Sequence, residues 1–452
     1  MSEMLVGVLG FVCIIAIVIT LFKSKTLPSI AFITFPLILG VILVLSGYYT
    51  WDNLAKLIKS GFSSTGPTAA LFVFSVLYFG IMTDAGMFDV IINFLMKFVK
   101  DNVIGVCIMT AIIAMIGHLD GAGAATFCIV IPAMLPIYKK MHMRATTLLR
   151  ITVISMGVLN LMPWAGPTMR AAAVLGMEAS SFWHTILPIQ ICGVLLAFAV
   201  AFINGVMEKK RGAGLNGKLA ETEGHVETAE ETAVEEKKNE FARPKLFVFN
   251  ILLTVAVIAL LILDIFPSYV PFMAGVAASI LVNYPGAKMQ KKVINNHAGP
   301  ALTMCSTLMA AAVLMGVLVK EVEGTTSVIT CMSGLISTFL PAVLGRHLPL
   351  VIGILSVPLA LAFDTDSYFY GMLPVMIGIG EGFGIPALPI AAAMAVCRNC
   401  ATFISPMVPA TLLGVGLADV DINQHIKSNF LWVWGFSFIC MIAAILFGII
   451  PV

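Results

Sequence analysis

The chain has 452 residues, of which 60% are hydrophobic and 11% charged, with a formal net charge of +2 and a mean hydropathy of +1.02. Soluble domains carry about 45–50% apolar and about 25% charged residues, which excludes a water-soluble core. No basic stripe with interleaved aromatic residues is present, which excludes nucleic-acid binding. At ~20 residues per crossing, the length suits on the order of a dozen membrane helices.

In chain order, the first half offers five long apolar crossings: Met4–Phe22, Leu27–Ser46, Gly66–Asp84, Arg144–Met177 (interrupted) and Ser181–Met207. The first lacks a basic start and a small-residue cleavage site, so it reads as a retained helix rather than a signal peptide. Two shorter limbs, Val103–Gly117 and Ala124–Tyr138, flank His118-Leu119-Asp120-Gly121-Ala122-Gly123. A limb of about 15 residues spans ~22 Å as helix, short of a hydrocarbon core of ~30 Å. Residues 102–140 are therefore expected to form a re-entrant hairpin with its tip inside the protein. Residues 208–245, which include Glu221, Glu223, Glu227, Glu230, Glu231, Glu235, Glu236 and Glu240, have the composition of a disordered linker.

The second half repeats the plan. Leu246–Leu263 and Pro271–Val282 form a first pair, and Gly299-Pro300 is expected to open the third helix as Gly66-Pro67 does. A second hairpin, 348–379, carries Asp364-Thr365-Asp366-Ser367 at its tip; an interrupted helix, Ala387–Gly416, and a closing helix, Asn429–Ile450, follow. The expected fold is an all-α polytopic membrane protein of two inverted repeats, 1–207 and 246–452. Each repeat has five crossing helices and a hairpin. An odd number of crossings inverts the second repeat, and the distribution of Lys and Arg gives the orientation. Lys23, Lys25, Lys97, Lys100, Lys139, Lys140, Arg144, Lys209, Lys210, Arg211, Lys288, Lys291 and Lys292 share one side. The linker is thus expected in the cytoplasm and both termini outside the cell membrane.

A charge at membrane depth costs at least ~2.5–3.5 kcal/mol, so such residues face a cavity or a partner. Four clusters qualify. At the first tip, Gly121 and Gly123 let backbone approach a ligand, the helix start offers free N–H groups to an anion, and Thr126 follows. Asp120 is a proton or cation site there, or the N-cap of a Gly-rich turn. The second cluster runs from Asn160 through Pro163, Gly166, Pro167 and Thr168 to Arg170. Its prolines break the helix, which is tolerated only against protein or a water-filled cavity. Arg170 either binds a carboxylate or snorkels to the surface.

At the second tip, Asp364 and Asp366 are placed to share a proton or hold a cation beside Ser367, or else form an exposed turn. The fourth cluster, Arg398-Asn399 running to Ser405 and Thr411, is another proline-broken helix. Arg398 pairs with Asp364 or Asp366, or with substrate. Two hairpins and two broken helices point to a midplane site for a small anionic solute. Without an ATPase motif, an ion gradient would drive transport. No cofactor is expected. Cys397 and Cys400 make a Cys-x-x-Cys without a second pair, and lone histidines such as His118 and His184 lack ligand spacing.

Specific motifs then carry a resemblance. Tyr78-Phe79-Gly80-Ile81-Met82-Thr83-Asp84-Ala85-Gly86-Met87-Phe88-Asp89, Leu119-Asp120-Gly121 with Thr126-Phe127, and Asn160-Leu161-Met162-Pro163-Trp164-Ala165-Gly166-Pro167-Thr168 resemble signatures of the citrate–divalent metal:proton symporters. Gly371-Met372-Leu373-Pro374 and Ser405-Pro406-Met407-Val408-Pro409 are similar too. The resemblance covers almost the whole chain. It implies the ion transporter superfamily, a homodimer, and elevator-type motion of a hairpin-bearing transport domain against a scaffold. The chain departs from that pattern at the first tip, where Ala122, Ala124 and Ala125 replace a carboxylate and two hydroxyls. The second tip reads Asp364-Thr365-Asp366, and Arg398 stands where a small residue is usual.

The expectation is proton-coupled symport of citrate, complexed with magnesium or calcium that arrives as co-substrate; the protein itself holds no metal. Asp120, Asp364 and Asp366 would couple protons or cations. Gly121, Gly123, Thr126, Asn160, Gly166, Thr168, Arg170, Ser367, Arg398, Asn399, Ser405 and Thr411 would bind solute. Another di- or tricarboxylate, driven by sodium or protons without metal, is the alternative. A remote third reading is an intramembrane aspartyl enzyme using Asp120 and Asp364.

Overall fold

The computed structural model describes residues 1–23, 26–98, 102–215, 240–337 and 340–451. Lys25, Lys100 and the linker glutamates from Glu221 to Glu236 lie outside the described residues. The described residues contain helices and turns and no strand. Eight of their helices are long and apolar enough to cross a membrane.

The first half runs α1 (Glu3–Phe22), α2 (Pro28–Leu45), α3 (Trp51–Asp84) and α4 (Met87–Met96). The two limbs of the segment expected as the first hairpin, α5 (Val103–Gly117) and α6 (Gly123–Lys140), follow. The broken helix α7 (Ala145–Leu159)/α8 (Gly166–Leu175) and α9 (Ala179–Arg211) complete it.

 The second half runs α10 (Phe247–Leu263), α11 (Tyr269–Asn283), α12 (Ala287–Val319) and α13 (Val328–Ser337), then a short turn of helix, α14 (Ala342–Arg346). The segment expected as the second hairpin holds α15 (Leu348–Ala360) and α16 (Leu373–Gly382), the latter entered through a π-helical turn, Ser367–Met372. Then come α17 (Ala387–Arg398), a 3₁₀ turn (Asn399–Ile404), α18 (Pro409–Leu417) and α19 (Ile422–Leu446).

Local chemistry sets many of these boundaries. Ser2, Thr50 and Asp421 accept hydrogen bonds from the first-turn amides of α1, α3 and α19, which satisfies donors that a helix start leaves free. Left-handed Gly176 and Gly212 end α8 and α9.

The third crossings differ from expectation. Gly66-Pro67 and Gly299-Pro300 do not open these helices but lie inside them, because α3 already begins at Trp51 and α12 at Ala287. The extra turns of α3 are held by the Thr50 cap and an Asp52–Lys56 ion pair of 2.6 Å. Hydroxyls of Ser63, Ser64 and Thr65 bond back to carbonyls one turn earlier, and the long packing of α12 along α3 is the kind of neighbour support that lets a membrane helix carry a proline. Two ten-residue helices, α4 and α13, occupy segments for which no element was expected. The closing helix starts at Ile422 rather than Asn429, and the second hairpin's outgoing arm continues past residue 379 to Gly382.

The two long helices α3 and α12 pack against each other, with α2 on α12 and α11 on α3. Likewise α1 packs on α13 and α10 on α4. Away from this framework α5 packs on α9, α15 on α19, α6 on α18, and α8 on α16 and α17. Glycine makes the α3–α12 crossing possible. A Cβ on Gly61 would lie 2.0 Å from the Ala312 carbonyl oxygen, and one on Gly316 would lie 2.6 Å from that of Leu57. Close backbone approach through small residues is how membrane helices gain packing where lipid supplies no hydrophobic drive. Gly61→Val or Gly316→Val is therefore expected to cost about 1–3 kcal/mol or more through overpacking. This should be read as a lower melting temperature in detergent. Gly299→Ala, in the same helix but with nothing within 4 Å of its Cβ, should leave that temperature unchanged or raise it.

Candidate functional site

The first hairpin tip is a tight turn held by its neighbours. Gly121 adopts φ +70°, a conformation that favours glycine. The Asp120 carboxylate accepts a 2.8 Å bond from the Ala122 amide. It thus closes the turn, while the N-cap position of α6 is Ala122, with no side-chain cap. Trp164, in the break between α7 and α8, donates from Nε1 to the Leu119 carbonyl at 2.7 Å. His118 is buried beneath the tip, with Nδ1 2.8 Å from Thr126 Oγ1 and Nε2 3.0 Å from Asn160 Oδ1. Thr168 donates to the Asn160 carbonyl at 3.1 Å and so bridges the break.

The second tip has the same arrangement with charged braces. Asp364 accepts from the Ser367 amide at 2.8 Å. Arg170 reaches across from α8 and donates Nε–H to Asp366 at 2.6 Å. Arg398 is fully buried, and its guanidinium lies 4.8 Å from the centre of the Tyr368 ring. It donates to Thr365 Oγ1 at 3.3 Å, to Thr402 Oγ1 at 3.1 Å and to the Phe363 carbonyl at 3.1 Å. Thr411 donates to the Thr402 carbonyl at 3.4 Å across the second break, and Ser405 accepts from the Met407 amide at 3.2 Å.

Two alternatives fall away on this geometry. Arg170 does not snorkel outward, because it is 6% exposed and paired. Arg398 forms an ion pair with neither Asp364 nor Asp366, the latter being paired with Arg170; its Nη1 and Nη2 donors go to hydroxyls and to the tip backbone, and its Nε is buried without a partner.

The clusters meet crosswise. Phe403, in the second break, stands edge-on to His118 of the first tip at 5.3 Å between ring centres. It also packs so closely on Gly123 that a Cβ there would lie 2.4 Å from its ring. A cavity of about 610 Å³ opens at the second tip, lined by Asp364, Thr365, Asp366, Ser367 and Arg170, with Val408 and Pro409 at the start of α18. Its opposite wall is the α1–α2 corner, including Leu21, Thr26 and Leu27. Small-molecule sites run to about 300–1,000 Å³, so the space suits a compact solute. Arg170 and the N-terminal end of α18 suit a carboxylate there, and the Asp364 carboxylate suits a cation or proton.

Of the residues singled out in the sequence, Arg170, Asp364, Asp366 and Ser367 line this cavity. Asp120, Gly121, Gly123, Thr126, Asn160, Gly166, Thr168, Arg398, Asn399, Ser405 and Thr411 do not form its wall. They build and brace the two tips. Asn160 Nδ2 and both amide atoms of Asn399 are buried without a hydrogen-bond partner, at equivalent positions just after α7 and α17. Among the described residues, no group of three or more His, Cys, Asp and Glu side chains is placed to hold a metal ion. His118, Trp164 and Tyr368 were not singled out from the sequence. The position of His118 at the very end of a limb was the available signal, and Trp164 sits inside the proline-rich break.

An apolar helical bundle that sets the 364–367 turn and parts of two broken helices, Arg170 and the start of α18, around a charged cavity has the form of a membrane transporter. The profile of the family described as "Citrate transporter" matches residues 11–397. The "Citrate transporter" of Bacillus subtilis (strain 168) is 34% identical, over 99% of this chain and 100% of that protein. The "Mg(2+)/citrate complex secondary transporter" of the same organism is 30% identical, over 99% and 100%. The chain belongs to the citrate transporter family. It is a multi-pass membrane transporter and not an enzyme, which removes the aspartyl-enzyme reading. The crystal structure of the Alcanivorax borkumensis YdaH transporter shares the fold, with a TM-score of 0.63 at 14% identity over 94% of this chain and 99% of that one.

Arg170→Gln would strand the Asp366 carboxylate in a largely buried position. Breaking a buried pair by removing one partner costs about 3–5 kcal/mol. A clear fall in melting temperature in detergent is expected, partly restored when Asp366→Asn is added.

Proposed function

We propose that this protein carries citrate across the cell membrane as a complex with a divalent metal, magnesium or calcium, driven by protons. The observation that supports it most is the charged wall of the cavity, where Arg170 lies beside Asp364 and Asp366. Arg170 and the start of α18 would hold citrate carboxylates. Asp364, whose hydrogen-bond donor is a backbone amide rather than a cation, would face the metal or take up the coupling proton. The name of the Mg(2+)/citrate relative supports the same cargo.

Elevator-type alternating access is the mechanism that fits this reading. Residues 1–207 and 246–452 would be inverted repeats, supported by the like order of their elements and by contacts exchanged between halves, such as α2 on α12 with α11 on α3. The framework around α3 and α12 would be the scaffold of a homodimer, and the hairpins with α7–α9 and α17–α19 the moving part. Among the described residues that line the cavity, the charged ones, Arg170, Asp364 and Asp366, sit on the wall that would move, and those of α1 and α2 are apolar apart from Thr26 beside them. Solute would then travel with the tips. The positive-side distribution of Lys and Arg supports a cytoplasmic linker and external termini. The first tip's alanines favour the second reading, transport of another di- or tricarboxylate without metal.

Uptake of radiolabelled citrate into proteoliposomes tests the proposal. With magnesium or calcium present and an inward proton gradient, uptake should exceed that with chelator at least tenfold and collapse when a proton ionophore is added. Uptake driven by a sodium gradient alone, or indifferent to metal, would overturn the coupling or the cargo respectively. Asp364→Asn is expected to reduce proton-driven uptake more than tenfold while counterflow exchange of citrate is less affected, because only net flux requires the coupling proton to be released.

A further inference from the structure

Beside the charged cavity lies a second, smaller chamber of about 250 Å³. One wall is α1, through Phe11, Ile14 and Ile15; the other is the outgoing arm of the second hairpin, through Met372, Val375 and Met376. Every side chain that lines it is aliphatic, phenylalanine or methionine. Val18 and Phe363 belong to both spaces, so the chamber adjoins the cavity whose wall carries Arg170 and Asp364. None of the residues read as a solute site in the sequence falls in it.

We infer that the two spaces together form a site for a carboxylate bearing an unbranched alkyl tail, with the carboxylates in the charged cavity and the tail in the apolar chamber. The inference rests on the cavity being the citrate site. A polar headgroup gains from Arg170 and the α18 N-terminus, and the tail gains from leaving water for a wholly apolar lining. The flexible Met372 and Met376 side chains adapt to a chain of uncertain conformation. A chain threaded there lies between α1 and the hairpin, so it wedges the moving wall against the framework. Such a ligand would bind tightly and not be carried; it is an inhibitor rather than a cargo. A bilayer lipid chain is the competing occupant, but it would leave the adjoining charged cavity empty, whereas the tailed carboxylate fills both.

The test is inhibition of citrate uptake into proteoliposomes by citrates alkylated on one methylene carbon, from methyl to hexyl. Each methylene that enters the chamber should lower the half-inhibitory concentration about threefold to fourfold, and inhibition should remain competitive with citrate. Ile15→Trp and Val375→Phe fill the chamber from opposite walls at positions outside the lining of the charged cavity; either should keep citrate binding, read as protection by citrate against thermal unfolding in detergent, and flatten the dependence of the alkyl citrates' affinity on chain length. If one variant fails to assemble, the other decides. A flat series in the unmodified protein with citrate uptake intact overturns the inference. So does an undiminished slope in the chamber-filling variant, which would place the tails in the bilayer. If the unmodified protein takes up no citrate, the reading of the cavity itself fails instead.

Discussion

A helix that breaks inside a membrane exposes amide and carbonyl groups where no water can satisfy them, at a cost of several kcal/mol for each unmet group. That constraint organises the protein. Each break and each hairpin tip needs donors and acceptors brought by another segment, and the segments that bring them are the other breaks and tips. Trp164 satisfies Leu119, Arg398 satisfies Phe363, and Thr168 and Thr411 span their own breaks. The site is the place where these obligations meet.

The two tips meet the same obligation with different chemistry. Around the first, the braces are an indole, an imidazole, an amide and a hydroxyl, all held among buried aromatic rings. Around the second they are two guanidinium groups, one of them fully buried. A guanidinium keeps its charge and its planar fork of donors in any surroundings, so the second tip carries a permanent positive frame behind its aspartates. The open space lies at that tip, and the first is packed shut by Phe403 on Gly123. A second buried guanidinium network stiffens the same body. Arg150 donates to Asn204, Asn429 and the Ser428 carbonyl, and Asn429 contacts His425, which bonds the Phe403 carbonyl.

Much of this was legible in the sequence because membrane depth makes polarity conspicuous. The limb Val103–Gly117 and the start of the second hairpin at Leu348 stand where the sequence placed them, since a run too short to span ends abruptly in polar residues. Arg170 and Asp366 were each visible as costly charges, but their pairing was not, because it joins segments on opposite sides of the linker. Gly66-Pro67 misled: proline reads as a helix start, yet the packing of α12 against α3 supports a helix that runs through it. His118 stood at the end of a limb, but its role depends on Asn160, 42 residues away. The helices α4 and α13 were missed because ten residues are too few to register as a crossing.

The Arg170–Asp366 bond also bears on how the chain is made. Its partners are 196 residues apart, and synthesis proceeds at about 5–20 residues per second. For on the order of ten seconds or more, the nascent first half must therefore keep a guanidinium at membrane depth with no carboxylate to meet it. The broken helix that carries Arg170 cannot settle into its final place until the segment with Asp366 has emerged and entered the membrane. Assembly of the cavity is thus a late event in biogenesis, and the insertion machinery or a lipid headgroup has to shelter that charge until the chain is almost complete.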